Sequence, residues 1–200
     1  MPIIRYLALG DSYTIGESVP AEDRWPNQIE TLLEAKGIQA EVTIIARTGW
    51  TVDELWEGIQ INTPRGTYDL VTLLIGVNDQ FRGYSVNEYR EDFRFLLGKA
   101  IEYAGRDPAK VVVLSIPDWG VTPFAAGRDP GKIAQEIDQF NLVNRAESEK
   151  AGARYVDITA ASRAAVSDPA LIASDGLHPS GRMYARWAGQ VLPVVKEILK

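Results

Sequence analysis

The chain has 200 residues, a formal charge of −6 and no cysteine, with one histidine and 46% hydrophobic residues. That length suits one domain over residues 1–200, and the acidic balance removes the basic surplus a nucleic-acid binder needs to meet phosphates. Without cysteine there are no disulfides, thiolate zinc sites or thiol nucleophiles, and no apolar run approaches the roughly 18 residues that span a bilayer.

The first apolar run, Ile3–Leu9, is broken by Arg5 and followed at once by Gly10-Asp11-Ser12. It is too short for the core of an export signal and reads as a strand, so a cytoplasmic protein is expected. Four further short runs follow at Val42–Ala46, Leu70–Ile75, Val111–Ile116 and Arg154–Ile158. Most are rich in β-branched residues and close at a turn signal.

Helical patterns lie between the runs. Trp25, Ile29, Leu32, Leu33 and Lys36 share a face, with Pro26 early and Gly37 just past the end. Thr51 and Glu54 form a capping box ahead of Leu55, Trp56 and Ile59, and Ser85 and Glu88 repeat the signal ahead of Tyr89, Phe93 and Leu97. Ile133, Ile137 and Phe140 mark a fourth helix ending near Gly152. Met183, Trp187, Val191 and Ile198 mark a last one, expected to kink or split at Pro193. Alternating strands and helices predict a three-layer α/β/α sandwich around a five-stranded parallel sheet, with the flavodoxin-like order 2-1-3-4-5 preferred.

In such a sheet ligands bind beyond the carboxyl ends of the strands. The chemistry-bearing residues fall there. Ser12 follows the first strand, Gly49 the second, and Gly76-Val77-Asn78-Asp79 the third. Pro117-Asp118-Trp119-Gly120 follows the fourth, and Asp175-Gly176-Leu177-His178 comes after the fifth. A serine hydroxyl needs a base to become nucleophilic, and His178 is the only imidazole. An imidazole titrates near pH 6.5 when unperturbed, which suits that task. Asp175 sits three residues earlier, where a loop through Gly176 can fold its carboxylate onto the ring. Pro179 biases His178 toward extended backbone. Negative charge building on a carbonyl oxygen would find donors in the Ser12 and Gly49 backbone N–H groups and the Asn78 amide.

Each piece alone has a plainer reading, since Gly, Asp and Ser favour turns and caps in general. Asp11 and Asp79 are expected to hold loops by hydrogen bonds to nearby backbone. Trp50, Phe81, Trp119 and Phe124 divide evenly between core or lid packing and substrate contact. Arg47 and Arg82 read as solvated surface charges. The set is what carries specificity: four blocks in order, each at a strand end. The Gly-x-Ser-x-Gly elbow of α/β-hydrolases is absent, because Thr14 occupies the final glycine position.

Those four blocks resemble the SGNH hydrolases, also called GDSL esterases and lipases. They are Gly10-Asp11-Ser12-Tyr13, Arg47-Thr48-Gly49-Trp50, Gly76-Val77-Asn78-Asp79 and Asp175-Gly176-Leu177-His178-Pro179, spanning almost the whole chain. Tyr13 departs from the family's leucine. The resemblance implies a Ser12–His178–Asp175 triad, an oxyanion hole from Ser12, Gly49 and Asn78, and a small-molecule ester substrate. It implies no metal and no organic cofactor. The family handles lipids, thioesters, short esters and acetylated sugars, so the reaction is better fixed than the substrate, and the oligomeric state is not legible. The rival reading is a non-catalytic flavodoxin-like binding module, which leaves Asp175 and His178 without a role.

Overall fold

The computed structural model describes residues 3–200. Five strands form one sheet in the order β2-β1-β3-β4-β5, with every neighbouring pair parallel. They are β1 (Ile4–Gly10), β2 (Ala40–Ala46), β3 (Leu70–Leu74), β4 (Val111–Leu114) and β5 (Arg154–Val156). The preferred strand order is the observed one. β3 and β4 are buried along their whole length, whereas the edge strands β2 and β5 alternate with exposed residues. A central parallel strand is covered on both faces, which is why these two read as unbroken apolar runs.

Among the described residues eight α-helices accompany the sheet: α1 (Ser12–Ile15), α2 (Trp25–Glu34), α3 (Val52–Asn62), α4 (Val77–Phe81), α5 (Val86–Tyr103), α6 (Pro130–Ala151), α7 (Thr159–Arg163) and α8 (Gly181–Ile198). The capping signals act as the sequence implies. The Thr51 N–H donates to Glu54 at 3.0 Å, and Ser85 and Glu88 bond reciprocally at 3.2 Å. α2 packs on α8 over one face, while α3, α5 and α6 pack in series over the other. Trp25, Trp187, Tyr89 and Phe93 are fully buried beneath them. Removing one such aromatic side chain costs about 3–5 kcal/mol in a packed core.

Of the kink or split expected at Pro193, the split does not occur, and α8 runs on to Ile198. Pro193 and Gly189, whose carbonyl loses its partner, both lie on the exposed face, where water can satisfy that oxygen. Met183, Trp187, Val191 and Val195 anchor both halves of the helix in the core. Asn78 lies in the short helix α4, directly after β3.

Strand order reverses direction between β1 and β3. The chain leaving β1 enters α1 and α2 on one face, and the chain leaving β3 enters α4 and α5 on the other. The divergence opens a crevice at this edge of the sheet, the place where open α/β folds bind ligands.

Candidate active site

Ser12 is the first residue of α1, at the end of β1. Asp11 caps this helix by accepting the Tyr13 N–H at 3.0 Å. α1 closes at Gly16 after one turn, so Ser12 is held at a fixed point of the crevice. Its backbone N–H has no acceptor among the described residues, as expected at a helix start.

His178 reaches the same crevice on a narrow hairpin. The Ala173 N–H donates to the His178 carbonyl at 2.7 Å, and Ile172 and Pro179 form an isolated antiparallel bridge. Pro179 takes the bridged position, and His178 lies in the bend that leads into it. Asp175 lies at the hairpin tip. Its Oδ2 is 2.6 Å from His178 Nδ1, and its Oδ1 accepts the backbone N–H groups of Leu177 and His178, each at 2.9 Å. Ser18 donates its hydroxyl to the same Oδ2 at 2.7 Å. Partial burial opposes the charge on Asp175, but the bonds from His178, Leu177 and Ser18 outweigh it. Together they hold this carboxyl well below the usual carboxylate range.

The third side of the crevice comes from the loops after β2 and β3. Gly49 has φ +87°, a left-handed conformation that a side chain would strain. Arg82, anchored on Glu54, donates to the Gly49 carbonyl at 2.6 Å and so fixes the orientation of that loop. The Gly49 N–H has no acceptor among the described residues. Asn78 donates one amide hydrogen to the Trp50 carbonyl at 2.9 Å, which leaves its second hydrogen available. Before it, Gly76 has φ +120°, and a Cβ there would lie 2.3 Å from the Tyr89 hydroxyl. Only glycine lets β3 turn into α4 against Tyr89.

These residues line one cavity of about 140 Å³. Ser12, His178, Gly49 and Asn78 supply its polar end, and Val77, Phe81, Trp119, Phe124 and Leu177 its apolar walls. The ring of Tyr13 also lines it and packs edge-on to His178 with centroids 5.5 Å apart. The structure thus brings all of the sequence-derived site residues together except Asp175, which stands behind His178. No hydrogen bond joins Ser12 to His178 in this state.

Two buried carboxyls support the walls. Asp11 and Asp79 each use one oxygen, for the Tyr13 and Val52 N–H groups, and each leaves the other oxygen without a partner. Burial pushes Asp11 up to about 8 and Asp79 up to about 7, against those backbone bonds. Their expected loop-holding contacts are present. Of the four aromatics, Phe81, Trp119 and Phe124 line the cavity, while Trp50 rests against α3 at Gly58. Arg82 is no idle surface charge. Its bond to Gly49 and the bond from Ser18 to Asp175 span chain separations that no local pattern marks.

The chain is similar in fold to several solved structures. The crystal structure of TesA matches with a TM-score of 0.77 at 19% identity, covering 97% of this chain and 99% of that one. The psychrotrophic esterase EstA from Pseudoalteromonas sp. matches with a TM-score of 0.76 at 16% identity, covering 98% of each. Axe2, an acetylxylan esterase from Geobacillus stearothermophilus, matches with a TM-score of 0.73 at 23% identity, covering 96% of this chain and 94% of that one. No curated protein matches the sequence significantly. The model of the GDSL-like lipase/acylhydrolase family matches residues 8–186, which include every block singled out above. The chain belongs to the GDSL-like lipase/acylhydrolase family and is an esterase-type hydrolase of that family.

Proposed function

We propose that the protein hydrolyses carboxylic esters through an acyl-enzyme on Ser12, with His178 as base and Asp175 holding the imidazole. The observation that carries this reading is the Asp175–His178 contact at 2.6 Å, set behind a cavity that Ser12 and His178 both line. A carboxylate on Nδ1 fixes the proton there and leaves Nε2 free to act as acceptor.

The Ser12 hydroxyl oxygen attacks the ester carbonyl carbon while its proton passes to His178. The carbonyl oxygen takes up negative charge between the Ser12 N–H, the Gly49 N–H and the free Asn78 amide hydrogen. Collapse of this intermediate breaks the ester bond, and His178 returns the proton to the departing alcohol. Water then gives its proton to His178 and its oxygen to the acyl carbon. Release of the acid restores Ser12. The Ser12–His178 hydrogen bond forms as substrate is bound, as such contacts commonly do.

The cavity favours short substrates. An apolar cavity of roughly 150 Å³ admits a benzene-sized group. At about 140 Å³ this one suits a short acyl chain or an aryl group, with Phe81, Trp119 and Phe124 against it. The test is a turnover panel of acyl esters graded in length, acetylated sugars and acyl thioesters, with Ser12→Ala as blank. Turnover greatest for the short oxygen esters and absent from Ser12→Ala is expected. Full turnover by Ser12→Ala would remove Ser12 from the mechanism.

A further inference from the structure

Ser18 donates its hydroxyl to Asp175 Oδ2 at 2.7 Å, on the oxygen that also meets His178 Nδ1. That length is typical of a charge-assisted O–H···O⁻ bond. Ser18 also holds an unusual backbone. Its φ is +64°, and among the described residues only Thr63 and Arg106 share a positive φ without being glycine. Thr63 caps α3 and Arg106 follows the end of α5, where left-handed residues are routine. Ser18 has no such duty, because Gly16 already closes α1. A strained serine in place of glycine persists only where surrounding contacts fix it. Next to it, Glu17 accepts a hydrogen bond from Thr48, the neighbour of Gly49. The segment leaving α1 therefore ties the Ser12 element to both other loops of the crevice.

We propose that Ser18 is a positioning residue: its hydroxyl locks the Asp175 carboxylate in the orientation that keeps the proton of His178 on Nδ1. The proposal rests on the ester-hydrolase reading for its kinetic consequence and on geometry alone for its effect on the imidazole. With the hydroxyl removed, Asp175 keeps its two backbone donors on Oδ1, but Oδ2 is left with the imidazole as its one partner and can exchange that contact for water. The imidazole then samples the Nε2–H tautomer, which cannot accept a proton from Ser12.

Ser18→Gly separates this role from a structural one. Glycine accepts φ +64° without strain but carries no hydroxyl. The variant is expected to melt close to the parent temperature, relief of backbone strain offsetting the lost bond to Asp175, while kcat falls about tenfold and KM stays nearly constant, the effect of losing one hydrogen bond to a charged group. Ser18→Asn tolerates the left-handed backbone and supplies an N–H donor, so it is expected to recover part of kcat. Since His178 is the only histidine, its ring ¹⁵N shifts above pH 8 read the tautomer directly, without turnover. They are expected to report Nδ1–H in the parent and a mixture in Ser18→Gly. A Ser18→Gly protein with the parent's kcat and tautomer would overturn the proposal, as would a loss of kcat that merely follows a lowered melting temperature. Absence of Ser12-dependent turnover in the parent would sink the ester-hydrolase reading instead, and the ¹⁵N shifts would still decide the claim for Ser18.

Discussion

Asp175 grips His178 twice: Oδ2 lies 2.6 Å from the ring Nδ1, and Oδ1 accepts the residue's own backbone N–H at 2.9 Å. Ring and backbone are thus referred to one carboxylate inside a single bridged hairpin. Placing carboxylate and imidazole within four residues means that the hairpin, more than the global fold, sets their geometry. Asp175→Asn tests this grip. The amide can still meet Nδ1, but it offers a hydrogen where the ring needs an acceptor and so selects the wrong tautomer. An expected fall in kcat of roughly 10³–10⁴, by analogy with characterised serine hydrolases, should leave the circular dichroism unchanged. Steady-state kinetics on a short-chain ester checks it.

Asn78 is held by the Trp50 carbonyl with one amide hydrogen still available. Charge on the carbonyl oxygen is greatest beyond the ground state, so Asn78→Ala should lower kcat by about 10²–10³ while KM changes little. A change confined to KM would take Asn78 out of the proposed oxyanion hole.

The aromatic wall predicts a shift in chain-length preference. Phe81 and Trp119 separate the 140 Å³ cavity from a second, more polar cavity of about 370 Å³, and Arg128 lies over both rings. Phe81→Ala should join the two spaces and raise kcat/KM for octanoyl relative to acetyl esters by about tenfold, the value of a few newly buried methylenes. An unchanged ratio would show that the chain leaves the crevice by another route.

Buried Asp11 and Asp79 make a prediction about stability. Unfolded, both ionise near 3.9; folded, burial pushes them up to about 8 and about 7. Between those values the native chain holds more protons than the unfolded one. Their contribution is fully present below about pH 4 and is lost as pH rises toward 8. Asp175 acts in the opposite sense, because its lowered value stabilises the fold above about pH 4 and loses that effect in acid. A difference curve between Asp79→Asn and the parent isolates the buried carboxyl. The variant should gain melting temperature relative to the parent as pH rises from 5 to 8, by roughly several degrees. A pH-independent difference would contradict protonation of Asp79.

Most of this site was legible in the chain because the fold delivers it mechanically. Short β-branched runs mark the strands, and a parallel sheet places every strand end on one rim. Ser12, Gly49 and Asn78 therefore converge whatever the details of packing, and the observed order β2-β1-β3 explains why the crevice opens between the first and third strands. Other features left no local trace. Ser18 meets Asp175 and Arg82 meets Gly49 across long stretches of chain, and a hydrogen bond between loops has no periodicity to read. The continuity of α8 through Pro193 was not legible for a related reason. Whether a proline splits a helix depends on which face it occupies, and here the face is solvent.

The central claim is that the Ser12 oxygen attacks while His178 removes its proton. The most direct measurement is covalent capture: reaction with a fluorophosphonate, followed by mass spectrometry of the intact protein and its peptides. One phosphonyl group per chain, mapped to Ser12, is expected, with no label on Ser12→Ala and much slower labelling of His178→Ala. Label on another residue, or Ser12 labelling at the parent rate without His178, would contradict it.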